Sequence, residues 1–172
     1  MNKFALSILL LLFSLNLMGL EPNLCNENEK VYFSCASGKK VISVCASKSL
    51  TINDGNLVYR YGSLGSKAEL EYGSEAKNFN KKFKFALDSY AKGSTMELSF
   101  KIGSYTYLLH EDEHVFKESS AGVFVIQNAK VVKYFSCNNK TLDYGILPNM
   151  SNLKIEGFPV EEYPTFMGTK PE

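Results

Sequence analysis

The feature that most constrains this chain is a period of two. Between Lys30 and Cys137, apolar residues alternate with polar ones in short runs, and turn-forming residues cut the runs apart. Alternation of this kind puts successive side chains on opposite faces of a strand, whereas a helix needs a period near 3.6. In residues 31–35, Val31, Phe33 and Cys35 share one face, and Ser37-Gly38-Lys39 then turns the chain. Residues 41–46 form the next run, and Asn53-Asp54-Gly55-Asn56 is a strong turn signal. Runs 57–61 and 68–72 flank a Gly-Ser loop, as the arms of a hairpin would. Residues 79–90 read as a longer extended segment in which Phe79, Phe83 and Phe85 stand among lysines. Runs 96–102, 105–109, 123–127 and 131–137 complete the series. No stretch of a dozen residues carries a helical period. Eight to nine short strands at this spacing predict an all-β fold, an antiparallel sandwich or barrel, over residues 21–137.

The N-terminus is different. Lys3 precedes an apolar run over 4–20, broken only by Ser7, Ser14 and Asn16, and Glu21-Pro22-Asn23 ends it. This is the layout of a secretory signal peptide over residues 1–20, with cleavage near Gly19 or Leu20. The alternative is an uncleaved anchor, for which the run is just short of the ~20 apolar residues that a span needs. The expectation is a periplasmic or secreted chain with no membrane span once the signal is removed. Lys3 is the one charged residue of the segment, so the remainder carries 18 basic and 18 acidic residues. A formally neutral chain lacks the basic footprint of a nucleic-acid binder. Residues 138–172 hold prolines at 148, 159, 164 and 171 among scattered apolar residues, which predicts an extended C-terminal arm with a frayed end.

The four cysteines are Cys25, Cys35, Cys45 and Cys137. An even number behind a signal peptide implies two disulfides, and spacings of ten residues do not suit a zinc site. Strand alternation sorts the partners. Cys35 shares its face with Val31 and Phe33, and Cys137 shares its face with Val131 and Phe135, so both point inward. Ile42 and Val44 point inward from the second run, which turns Cys45 outward. The pairing that follows is Cys35–Cys137 in the core and Cys25–Cys45 as an outer clip.

The sharpest chemical motif is His110-Glu111-Asp112-Glu113-His114, which matches the H-E-x-x-H pattern of zinc peptidases. That pattern works on a helix, where two histidines one turn apart bind the metal and the glutamate activates water. Here a strand-like run leads straight into it, and these are the only two histidines of the chain. The preferred reading is a solvated acidic loop between two strands, with no metal and no cofactor. No G-x-S-x-G elbow, Walker motif or unpaired thiol is present, so no catalytic residues are assigned. Arg60 is the only arginine beside 18 lysines. Its planar fork suits bidentate recognition. If 68–72 pairs with 57–61, Arg60 shares a face with Glu69 and Glu71, which favours a cross-strand ion pair over a ligand contact.

Gly103-Ser104-Tyr105-Thr106-Tyr107 offers small residues beside tyrosines, a combination used in recognition loops. If a strand starts at Ser104, Tyr105 and Tyr107 share one face, so both serve a partner only where that face is exposed. Ser34-Cys35-x-x-Gly38-Lys39, Ile42-Ser43-x-Cys45-x-Ser47, Leu57-x-Tyr59-Arg60-Tyr61-Gly62 and Glu69-Leu70-x-Tyr72 resemble a family of small exported bacterial proteins without assigned activity, over residues 30–137. More distantly the chain resembles the periplasmic inhibitors of invertebrate-type lysozyme, small disulfide-linked β-sandwiches whose S-G-x-Y loop enters the enzyme's cleft. Ser104-Tyr105-Thr106-Tyr107 keeps the Ser and the final Tyr and departs at Tyr105, where that family has Gly. The resemblance implies a non-enzymatic protein that binds a lysozyme or another peptidoglycan hydrolase. The expected partner-binding residues are Ser104, Tyr105, Tyr107 and Arg60. The competing expectations are a metal-dependent hydrolase built on His110, Glu111 and His114, and a structural envelope protein.

Overall fold

The computed structural model describes residues 22–51, 54–74 and 79–138. The expected signal peptide and nearly all of the expected C-terminal arm lie outside the described residues. The order of elements is β1 (Glu29–Ser37), β2 (Lys40–Ser47), β3 (Leu57–Gly62), β4 (Leu70–Tyr72), α1 (Phe79–Lys82), β5 (Lys84–Tyr90), β6 (Gly93–Ile102), β7 (Tyr105–His114), β8 (Lys117–Gln127) and β9 (Lys130–Ser136). Two antiparallel sheets form, each a simple meander: β1-β2-β3-β4 and β5-β6-β7-β8-β9. The all-β sandwich expected from the alternation is the fold.

The core lies between the sheets. Phe33, Ile42, Val44, Leu57 and Tyr59 of the first sheet meet Met96, Leu98, Phe100, Leu109 and Val123 of the second. Aromatic rings fill one part of it. Phe100 lies between Tyr72, stacked at 4.5 Å, and Tyr107, stacked at 5.1 Å, with Tyr59 at 4.9 Å and Phe83 at 5.5 Å. Ring pairs in this range add stabilisation beyond the area they remove from water.

Both disulfides pair as expected, although Val31 and Val131 do not share the inward face of Phe33 and Phe135: a bulge in each strand turns them outward, Val31 opposite Cys45 and Val131 opposite Ile126. Cys35–Cys137 joins the two sheets inside the core, across a sequence separation of 102. Cys25–Cys45 sits on the opposite face of the first sheet. One detail differs: Cys45 faces outward from the core yet is fully buried, because residues 22–26 lie over it.

Three other expectations need correction. The segment 79–90 is not one extended run. It begins with a single helical turn, α1, closed by the Phe83 amide donating to the Phe79 carbonyl at 2.8 Å. Phe79 and Phe83 are both buried, and a helical turn brings side chains four apart close together on one face. The His110–His114 motif is not a loop but the second half of β7, paired with β6 and β8 on either side. Pairing on both edges overrides the weak strand propensity of three consecutive acids. Glu69 does not join Arg60; it forms an ion pair with Lys40.

Candidate functional site

Three places carry the residues that the sequence singles out. The first is the β6–β7 turn. Ile102 pairs with Tyr105, leaving Gly103-Ser104 as a two-residue turn. Gly103 has φ +57°, and a glycine at the first turn position is the signature of a type II′ hairpin, whose twist matches that of its strands. The neighbouring β8–β9 turn is Asn128-Ala129, with φ 51° and 59°, the pattern of a type I′ turn. Gln127 ties the two turns together by donating from Nε2 to Ser104 Oγ at 3.0 Å. Ser104 is exposed, and Tyr105 is 39% exposed. Tyr107 is not on this rim. It shares the face of Tyr105, but one step further along β7 that face meets the core, where the ring stacks on Phe100. The rim therefore presents Ser104 and Tyr105, beside Asn128 and Lys130.

The second place is the outer face of β1–β4. Ser34, Ser43, Arg60 and Glu71 stand in register across the four strands, forming one polar row. Residues 22–26 cross this row as a strap. Ser34 donates to the Pro22 carbonyl at 2.7 Å, the Leu24 amide donates to Ser43 Oγ at 3.0 Å, and Arg60 Nη1 donates to the Leu24 carbonyl at 3.3 Å. The Arg60 fork grips Glu29 through both terminal nitrogens, at 2.5 and 3.0 Å, and its Nε donates to Glu71 at 2.7 Å. Arg60 is only 6% exposed. Its hydrogen bonds to Glu29 raise its pKa further above the ordinary guanidinium value, and its hydrogen bond to Glu71 holds that carboxyl below the usual range. Arg60 is thus an internal clamp rather than a rim residue. Cys25, Glu29 and Cys45 bring ligand-type atoms within 4.8 Å of one another, but the two sulfurs are bonded to each other and Glu29 is held by Arg60.

The third place is the outer face of β6–β9, which carries His110. Its ring stacks on Phe124 at 4.9 Å and on Tyr134 at 5.9 Å, and Nε2 lies 3.2 Å from the Tyr134 hydroxyl. Burial between these rings pushes its pKa down to about 4. Glu97 is paired directly with His110 across the ladder, and burial raises its carboxyl above the usual range. Gly122, paired with His110 on the other side, makes room for the stack: a Cβ there would meet Tyr134 Cε2 and the Phe135 carbonyl, both at 2.6 Å. His114 is remote from this cluster. Four residues along a strand put it about 13 Å from His110, where a helix would leave about 6 Å of rise. Its Nδ1 accepts the Phe116 amide at 3.0 Å. The H-E-x-x-H geometry is not formed, and Glu111 faces the opposite side of the sheet from both histidines.

Fold and covalent frame together define a class: an all-β sandwich of two antiparallel meanders, cross-linked twice, of the kind that folds in an oxidising, non-cytoplasmic compartment. Comparison with known protein families, curated proteins and solved structures finds no match to the chain.

Proposed function

We propose that the chain is a periplasmic or secreted binding protein without catalytic activity, which presents its β6–β7 hairpin to a protein partner. The carrying observation is the exposed Ser104-Tyr105 pair, held in place by Gln127 on two tight turns. Ser104 offers a donor and an acceptor on a short side chain. Tyr105 offers apolar area with a polar tip, a combination common at binding hot spots. A rim fixed before binding loses little conformational freedom when a partner docks. The resemblance to inhibitors of invertebrate-type lysozyme suggests a lysozyme or another peptidoglycan hydrolase as that partner; of the two residues that carry it only Ser104 is on the rim, Tyr107 being packed on Phe100, and Tyr105 supplies the second contact. The test is inhibition of chicken-, goose- and invertebrate-type lysozymes by the purified chain. Inhibition of one class at micromolar protein is expected, and S104A with Y105A should weaken it by at least tenfold without lowering the melting temperature. No inhibition of any class would rule out the lysozyme version, and inhibition untouched by the double substitution would move the site elsewhere.

A further inference from the structure

At the other end of the five-stranded sheet, the β7–β8 turn carries Val115 and Phe116, which are 73% and 75% exposed. Two adjacent large apolar residues left this far in water at a hairpin tip invite an explanation. The tip also projects. On the core-facing side the buried part of the sheet ends at Met96, Glu111 and Ala121. Val115 lies four strand residues past Glu111, about 13 Å further out. The other sheet contributes to the same end. Asn138 donates from its amide to the Ala36 carbonyl, and Tyr61 packs on Phe135 at 5.0 Å, so the β1–β2 turn and the β3–β4 loop lie on the side toward which β7 runs. That loop adds Leu64, 54% exposed.

Lysines surround these apolar residues. Lys92 stands over the Phe116 ring at 5.6 Å, Lys117 follows it in sequence, and Lys39 and Lys67 are exposed on the turn and loop of the other sheet. The exposed acids at this end are Asp88, Glu113 and Glu118, with Glu69 paired to Lys40.

We propose that this end of the sandwich docks on an anionic lipid bilayer, with Val115 and Phe116 entering the headgroup boundary and Lys39, Lys67, Lys92 and Lys117 at the phosphates. A convex tip with a second apolar point on a separate loop matches a surface better than a pocket. Phenylalanine flanked by lysine is suited to an interface, since the ring enters the apolar layer while the ammonium stays at headgroup level. The opposite end, with Ser104 and Tyr105, then faces away from the membrane.

The chain contains no tryptophan, so F116W installs a lone fluorophore at the tip. The chain as purified from the cell that exports it is mixed with vesicles of phosphatidylethanolamine and phosphatidylglycerol, or of phosphatidylcholine alone. The expected result is a blue-shifted emission with the anionic vesicles, reduced by salt and by K92Q with K117Q. V115S with F116S should weaken vesicle co-sedimentation by at least roughly tenfold at an unchanged melting temperature. Unchanged emission would overturn the proposal. So would co-sedimentation that survives the double serine substitution, since another segment would then hold the membrane. A shift seen only with a soluble protein would overturn it as well.

Discussion

The two sheets finish their outer faces in different ways. The four-stranded sheet takes its cover from the stretch of chain just before β1: residues 22–26 lie across Ser34, Ser43 and Arg60, held by a disulfide, three hydrogen bonds to the sheet and an ion-pair network. The five-stranded sheet packs His110, Phe124 and Tyr134 against one another from adjacent strands. A strapped face depends on bonds that chemistry can open one at a time. A face of stacked rings depends on one neutral imidazole staying neutral.

The largest expected effect tests the link between the sheets. Cys35→Ala with Cys137→Ala opens a loop whose closure is worth about 5 kcal/mol on the chain-entropy account, against about 3 kcal/mol for Cys25→Ala with Cys45→Ala. Urea unfolding of the two double variants should keep that order. A larger loss from the Cys25–Cys45 pair would mean that the strap, and not the link between sheets, organises the fold.

Arg60→Ala comes next. It leaves Glu29 without its bidentate partner under the strap and frees the half-exposed Glu71, so a loss of roughly 2 to 3 kcal/mol is expected. Arg60→Lys should recover little of it, because an ammonium cannot reproduce the fork. Full rescue by lysine in thermal melts would show that charge alone, without geometry, secures the strap.

The smallest expected effect belongs to the ringed face. His110 has a folded pKa of about 4 against an ordinary value of 6.5, so the unfolded chain binds the extra proton first. Stability should therefore fall as the pH drops from about 6.5 to about 4, by on the order of 2 kcal/mol once partial exposure is allowed for. Two carboxyls act in the same region. Glu71, held low by Arg60, adds loss as the pH falls below the ordinary carboxylate range, whereas Glu97, raised by burial, loses stability as the pH rises through that range and partly offsets the His110 slope. Melting temperatures of the parent and of His110→Gln between pH 7 and 4 test this. The variant should lose the slope between pH 6.5 and 5, where Glu71 contributes least; an unchanged slope there would assign it to other groups.

What the sequence by itself determined is whatever depends on parity. A strand sends its side chains alternately to two faces, so the placement of Phe33, Cys35, Ile42, Val44 and Cys137, and with it the disulfide pairing, was legible from the spacing alone. The cross-strand meeting of Arg60 and Glu71 followed from the hairpin. Parity does not say where a sheet's buried area stops. Tyr105 and Tyr107 share a face, yet one sits on the rim and the other stacks in the core, because the opposing sheet covers only the second. Nor does parity mark Val115 and Phe116, which stand in water at a hairpin tip. Glu29 lies 31 residues from Arg60 and belongs to a different strand, and no local pattern encodes a contact that exists only once β1, β3 and the strap are assembled. The acidic half of β7 became a strand for the same reason. Local propensity is weak there, and the ladder bonds that decide the conformation come from neighbours that only the folded sheet supplies.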